Sequence, residues 1–239
     1  KRQMFTTAGY VYAANASTRL GNHFNISASY NGYLQTQYDG TVKVNDSTRI
    51  NRVMHSASLS PSYSYDTDML GHTASMSLNY TSNKDLNPYA KGETDVQTMA
   101  FGLSYSMDAK PIETNFTLSF SHQDSKGFSS HYRSDVLSLG ASRSFLKEKN
   151  LNFSGTLSLC YNEIKRQSKS LSMGCDLSAN YTYKEAHMFS ASAGFNKYGD
   201  VNITKKRSSL DCTDISISFN YAYTFTLLAI KSKANKAKK

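Results

Sequence analysis

The placement of charge constrains this chain more than any other feature. Its 239 residues include 27 Lys and Arg and 18 Asp and Glu, and almost none of these lies where the sequence alternates. Ten segments alternate apolar and polar side chains with a period of two: 24–34, 55–65, 72–80, 97–107, 114–122, 137–145, 151–161, 171–183, 188–196 and 215–225. Within them stand only two ionised side chains, Arg143 and Asp176. The stretch NFTLSFS, 115–121, is representative, with Phe116, Leu118 and Phe120 on one face and Asn115, Thr117, Ser119 and Ser121 on the other. Period-two alternation over short runs marks strands with one apolar face. An eleventh, less regular strand is expected over about 4–14. No segment carries a helical period, so the expected class is all-β.

A water-soluble β-sandwich also alternates, but its polar face meets bulk water and carries Lys, Glu and Arg. Here the polar face is Ser, Thr, Asn and Gly. A face turned to hydrocarbon must be apolar, and the opposite face of a closed sheet can be lined by small polar groups. Closure also pairs every backbone N–H and C=O where no water is available. The pattern therefore predicts a transmembrane antiparallel up-and-down β-barrel over residues 1–225, followed by a basic tail, 226–239. No run approaches the roughly 20 apolar residues that a membrane-spanning helix needs.

The connections support an up-and-down meander. Short ones are expected near 65–70, 107–112, 146–150 and 183–187. Longer polar ones are expected near 35–52, 81–95, 123–134, 163–169 and 197–211. Tyr65, Tyr105, Phe145, Tyr183 and Phe225 mark the short-turn ends. Tyr30, Tyr80, Phe120, Tyr161 and Phe195 mark the other ends. Such rows read as the aromatic girdles of a membrane barrel.

With these features the chain resembles the outer-membrane β-barrel proteins of Gram-negative bacteria, over roughly 4–225. The ending ISISFNYAYTF, 215–225, is similar to the terminal strand that these proteins present to the barrel-assembly machinery. Richness in Tyr, Asn and Ser with a Lys-rich tail suits a Bacteroidota-type protein. The resemblance implies short turns on the periplasmic side and long loops outside. Eleven strands with the last one ending in the periplasm leave the first starting outside. Bacterial single-chain barrels have an even strand number, so the chain is expected to be the C-terminal portion of a larger barrel, or to share one with a second polypeptide.

Candidate sites are few. Asp176 is the one mid-strand charge with inward parity, a candidate for lining the lumen, expected to be hydrogen-bonded among Ser172, Ser178 and Asn180. Arg143 has lipid-face parity next to Phe145 and is expected to snorkel to the interface, with an inward-turning β-bulge as the alternative. Lys165, Arg166, Lys205, Lys206 and Arg207 fall in expected outer loops, where they can meet lipopolysaccharide phosphates. The six histidines and the three cysteines, Cys160, Cys175 and Cys212, show no metal spacing. Parity places Cys160 and Cys175 on opposite faces, so a bridge between them is not expected. His122 with Ser121 or Ser125 is the only pair of catalytic type, and it lacks an identifiable orienting group. The chain is accordingly expected not to be an enzyme, to need no cofactor and to bind no nucleic acid. The expected function is a pore or transport component for polar solutes. A scaffold barrel docking lipoproteins or periplasmic partners is the alternative, and a soluble Ser-rich adhesin is third.

Overall fold

A computed structural model describes residues 5–39, 51–87, 94–146, 150–184, 186–202 and 207–224. Phe225 and the basic tail lie outside these. The described residues form one antiparallel sheet of eleven strands in chain order. The strands are β1 (Phe5–Leu20), β2 (Phe24–Asp39), β3 (Asn51–Asp66), β4 (Leu70–Asp85), β5 (Val96–Ala109) and β6 (Thr114–Gly127), then β7 (His131–Phe145), β8 (Leu151–Ile164), β9 (Ser168–Tyr183), β10 (His187–Asn202) and β11 (Arg207–Tyr223). The sheet is barrel-like, but β1 and β11 have one neighbour each among the described residues.

Among the described residues nothing covers the apolar face. Leu139 is 49% exposed and Phe116 40% exposed, and the only buried hydrophobic residue among those described is Ala109. A sandwich would bury this face against a second sheet. The polar face forms its own ladder. Ser62, Ser75, Ser104, Ser119, Ser138 and Ser158 stand opposite one another across β3–β8 in a single hydrogen-bonded rank. Gly174, Asn196 and Asp214 continue it across β9–β11. Neighbouring hydroxyls bond directly, as in Ser75–Ser104 at 2.6 Å and Ser119–Ser138 at 3.0 Å.

The short connections follow Leu20, Asp66, Ala109, Phe145 and Tyr183, all at one end of the sheet. Glu113, Leu146 and Lys184 adopt positive φ there, and Gly21 supplies it (65°) at the first turn, where it costs least. At the other end the expectation of long loops over 123–134 and 163–169 is corrected. β6 runs to Gly127 and β7 starts at His131, while β8 and β9 are joined by only 165–167. The strands continue beyond the uncharged segments because an antiparallel ladder, once clear of hydrocarbon, tolerates ionised side chains on both faces. Strand interiors therefore hold more charge than Arg143 and Asp176, nearly all of it toward the ends.

The girdle residues reveal the strand tilt. Tyr30 of β2 shares a rank with Ala57, Tyr80, Met99, Asp124, Arg133, Glu163, Lys169 and Val201. On β10 the girdle residue is Phe195, six residues below Val201. A fall of about 20 Å along the strands over roughly 38 Å across them, at about 3.3 Å per residue and 4.8 Å per strand, gives a tilt of about 27°, somewhat under the range of about 35–45° for membrane barrels. Ranks thus climb relative to the membrane plane from β2 toward β10.

Candidate functional site

Two surfaces carry polar chemistry: the inner wall and the outer end of the apolar face. On the wall, Asp176 faces inward opposite Thr156 and Gly194. Its carboxylate occupies space that Gly194 leaves open, with Oδ1 3.0 Å from where a Cβ at that glycine would stand. The expected bonding to Ser172, Ser178 and Asn180 is not formed among the described residues. Ser178 instead bonds Ser154 at 2.6 Å, the partner that its own rank supplies. Asp176 is left exposed to the lumen. Asp214 shares its face on β11, and Asp108 on the same face stands at the short-turn end of β5.

The second surface lies above the outer girdle on β6–β9. In the climbing rank named above, Asp124, Arg133, Glu163 and Lys169 alternate in sign on adjacent strands. Opposite charges directly across an antiparallel pair stabilise it, by about 0.2–1 kcal/mol in general. Lys169 Nζ lies 3.3 Å from Glu163 Oε1, and the Tyr161 hydroxyl donates to Glu163 Oε2 at 3.1 Å. The hydrogen bond from Tyr161 is the largest influence on the Glu163 carboxyl; desolvation opposes it, and the Lys169 ammonium joins Tyr161 in holding the carboxyl below its ordinary range. The same pairing raises Lys169. One rung below, His122 Nδ1 lies 2.5 Å from Asp135 Oδ1, and Arg133 Nε donates to Asp135 Oδ2 at 2.8 Å. His131 Nε2 meets Asp124 Oδ1 at 2.6 Å.

Lys165 and Arg166 sit exposed in the tight β8–β9 turn beside this network, with Arg166 at φ 65°. Lys205 and Lys206 lie outside the described residues. Arg207 opens β11. Lys165 and Arg166 thus lie in the turn that joins the strands of Glu163 and Lys169. Arg143 keeps its lipid-face place between Thr114 and Phe153 in unbroken register, so no bulge turns it inward. Its guanidinium lies 4.7 Å from the Phe145 ring centroid, at the interface. Cys160 pairs across to Ser172 on the inner face and Cys175 to Leu157 on the apolar face, and both are free thiols.

The partners of the histidines were not legible in the sequence. His72 shares a 2.7 Å hydrogen bond with the Tyr105 hydroxyl, His187 a 2.9 Å bond with Tyr221, and His55 a 2.7 Å bond with Tyr30. Tyr–His pairs thus take part in both girdles, holding amphipathic rings where apolar and wet surroundings meet. The available signal was parity: His55, His72, His122 and His187 all fall in phase with the apolar residues of their strands.

No family model matches the chain, and no curated protein matches it. Among solved structures it is similar to OmpT, an outer membrane protein of Vibrio cholerae, at 8% identity and a TM-score of 0.46, covering 92% of this chain and 95% of that one. LpxR from Salmonella typhimurium aligns at 10% identity and 0.34, covering 90% and 88%. The beta domain of the Bordetella autotransporter Brka aligns at 12% and 0.27, covering 92% and 91%. An exposed apolar belt with aromatic rows toward both ends and a polar face behind it fits the fold of a transmembrane β-barrel. The expectation that the chain is not an enzyme does not stand. OmpT and LpxR are among its structural neighbours. Asp135 is the orienting group that His122 was thought to lack, but Ser121 and Ser125 face the other side of β6, where Ser125 bonds Thr98, so His122 and these serines are not brought together.

Proposed function

We propose that the chain forms the wall of a pore or transport barrel for polar solutes. The observation that carries this reading is the continuous inner rank from Ser62 to Asp214, a surface of small hydroxyl, amide and glycine positions with no large side chain to close it. Acidic side chains lining a pore favour cations, so Asp176 and Asp214 add a cation bias. Planar-bilayer recording of the purified complete barrel tests it. Ohmic conductance is expected, with a reversal potential in a KCl gradient that moves toward anions in Asp176→Asn. Silence at all voltages would overturn the reading.

A scaffold that docks lipoproteins or periplasmic partners is the second reading, favoured by the single-neighbour edges β1 and β11. In either case, contact of Lys165 and Arg166 with lipopolysaccharide phosphates, and a Bacteroidota-type origin, belong to the same proposal, the first from position and the second from composition.

A further inference from the structure

The apolar face has a hollow on β7–β10. Two successive ranks there read Phe153–Ala179–Ala191 and Gly155–Leu177–Ala193, with Ala141 beside Gly155 on β7. Ala and Gly floor the hollow, while Tyr181 and Phe189 in the rank below and Phe195 in the rank above bound it. Its volume is about 700 Å³, within the range of about 300–1,000 Å³ usual for small-molecule sites. Arg143 stands at its short-turn end, in the same rank as Phe153. Among the described residues Arg143 is the only Lys, Arg, Asp or Glu that a strand places on the apolar face below the outer girdle. Its guanidinium lies over the Phe145 ring, and no carboxylate pairs with it among the described residues. Three other hollows on this face have no ionised lining.

Shape alone does not retain a lipid. Acyl chains are as apolar as the wall, so a chain that enters the hollow gains packing but no hydrophobic free energy. What bulk lipid does not offer is the guanidinium, whose hydrogen bonds to phosphate are charge-assisted and often bidentate. We propose that the groove holds one glycerophospholipid of the leaflet on the short-turn side, with its phosphate on Arg143 and one acyl chain over Ala179, Ala191 and Ala193. From Arg143 to Ala191 is three strand spacings, about 14 Å at about 4.8 Å each. Ranks climb in that direction, so a chain that starts at the interface passes into hydrocarbon as it crosses them. A second copy could fill the hollow, but the same region of its apolar face carries no strand carboxylate to offer Arg143. The site lies on the outer surface and does not depend on the pore reading, so absence of conductance leaves it intact.

The test reconstitutes the full gene product in vesicles of phosphatidylethanolamine and phosphatidylglycerol that contain a trace of phosphatidylglycerol with a diazirine on one acyl chain. After illumination, mass mapping is expected to find at least fivefold more adduct on β10 than on β6, whose Phe116, Leu118 and Phe120 face the same belt. Arg143→Gln is expected to bring β10 down to the level of β6 while heat-modifiable gel mobility is kept. If that variant fails to fold, Ala193→Phe, which fills the groove, must show the same fall. A long-chain alcohol with the same diazirine but no phosphate is expected to label β10 and β6 alike. Even labelling of the belt by the phospholipid, or less on β10 than on β6 as cover by a second copy would give, would overturn the proposal. So would an unchanged β10 yield in the folded variants, or an equal preference for β10 by the phosphate-free probe.

Discussion

The same hydrogen-bonded rank reads Tyr30, Ala57, Tyr80, Met99 on β2–β5 and Asp124, Arg133, Glu163, Lys169 on β6–β9. Ladder position alone would give both halves one chemistry. They differ because tilted strands lift the rank out of the oily layer as it passes from β5 to β6. Height above the membrane, and not register, decides which side chains are tolerated. The tight turns of β6–β9 fit this: strands that emerge further need little loop to turn back.

The largest effect follows from moving a charge down one strand. Leu139→Arg puts a guanidinium six residues below Arg133 on the same face of β7, and is expected to destabilise the folded barrel by about 2–4 kcal/mol. Urea unfolding in lipid vesicles measures it, and a variant as stable as the parent would remove the belt from this level.

A smaller effect is expected along the rank. Ala57→Lys, between Tyr30 and Tyr80 at the interface, should cost about 1 kcal/mol at most. The same unfolding measurement checks it, and a loss as large as that of Leu139→Arg would place Ala57 inside the hydrocarbon.

The smallest effect concerns acid. Because the Glu163 carboxyl is held below its ordinary range, its contribution is fully present above that range and is lost as pH falls through the lowered value. The difference in stability between the parent and Glu163→Gln should therefore be constant at neutral pH and disappear only below about pH 4. Disappearance at pH 5–6 would show that the Tyr161 and Lys169 contacts do not hold the carboxylate.

Much of this was legible in the sequence, for a definite reason. Membrane strands must alternate and must exclude ions, so Phe116–Leu118–Phe120 and its counterparts declare both class and facing. The strand ends were not legible. Phe120, His122, Asp124 and Lys126 keep one parity, but once ions are permitted the composition of a strand is that of a loop, and only pairing distinguishes them. Asp176 shows a different limit. Its face was readable, but its serine neighbours were already committed to serines on the next strand, which depends on register. The Asp135 partner of His122, thirteen residues away, depends on register in the same way.

The thiols on opposite faces of neighbouring strands make the wall report its own sidedness. Cys160 stands among water-accessible hydroxyls, while Cys175, on the next strand, looks into acyl chains. A charged maleimide reaches the first, and only a lipid-dissolved reagent reaches the second. Two native residues can thus follow the insertion of this sheet, because one becomes shielded from aqueous reagent as the membrane closes around it and the other does not.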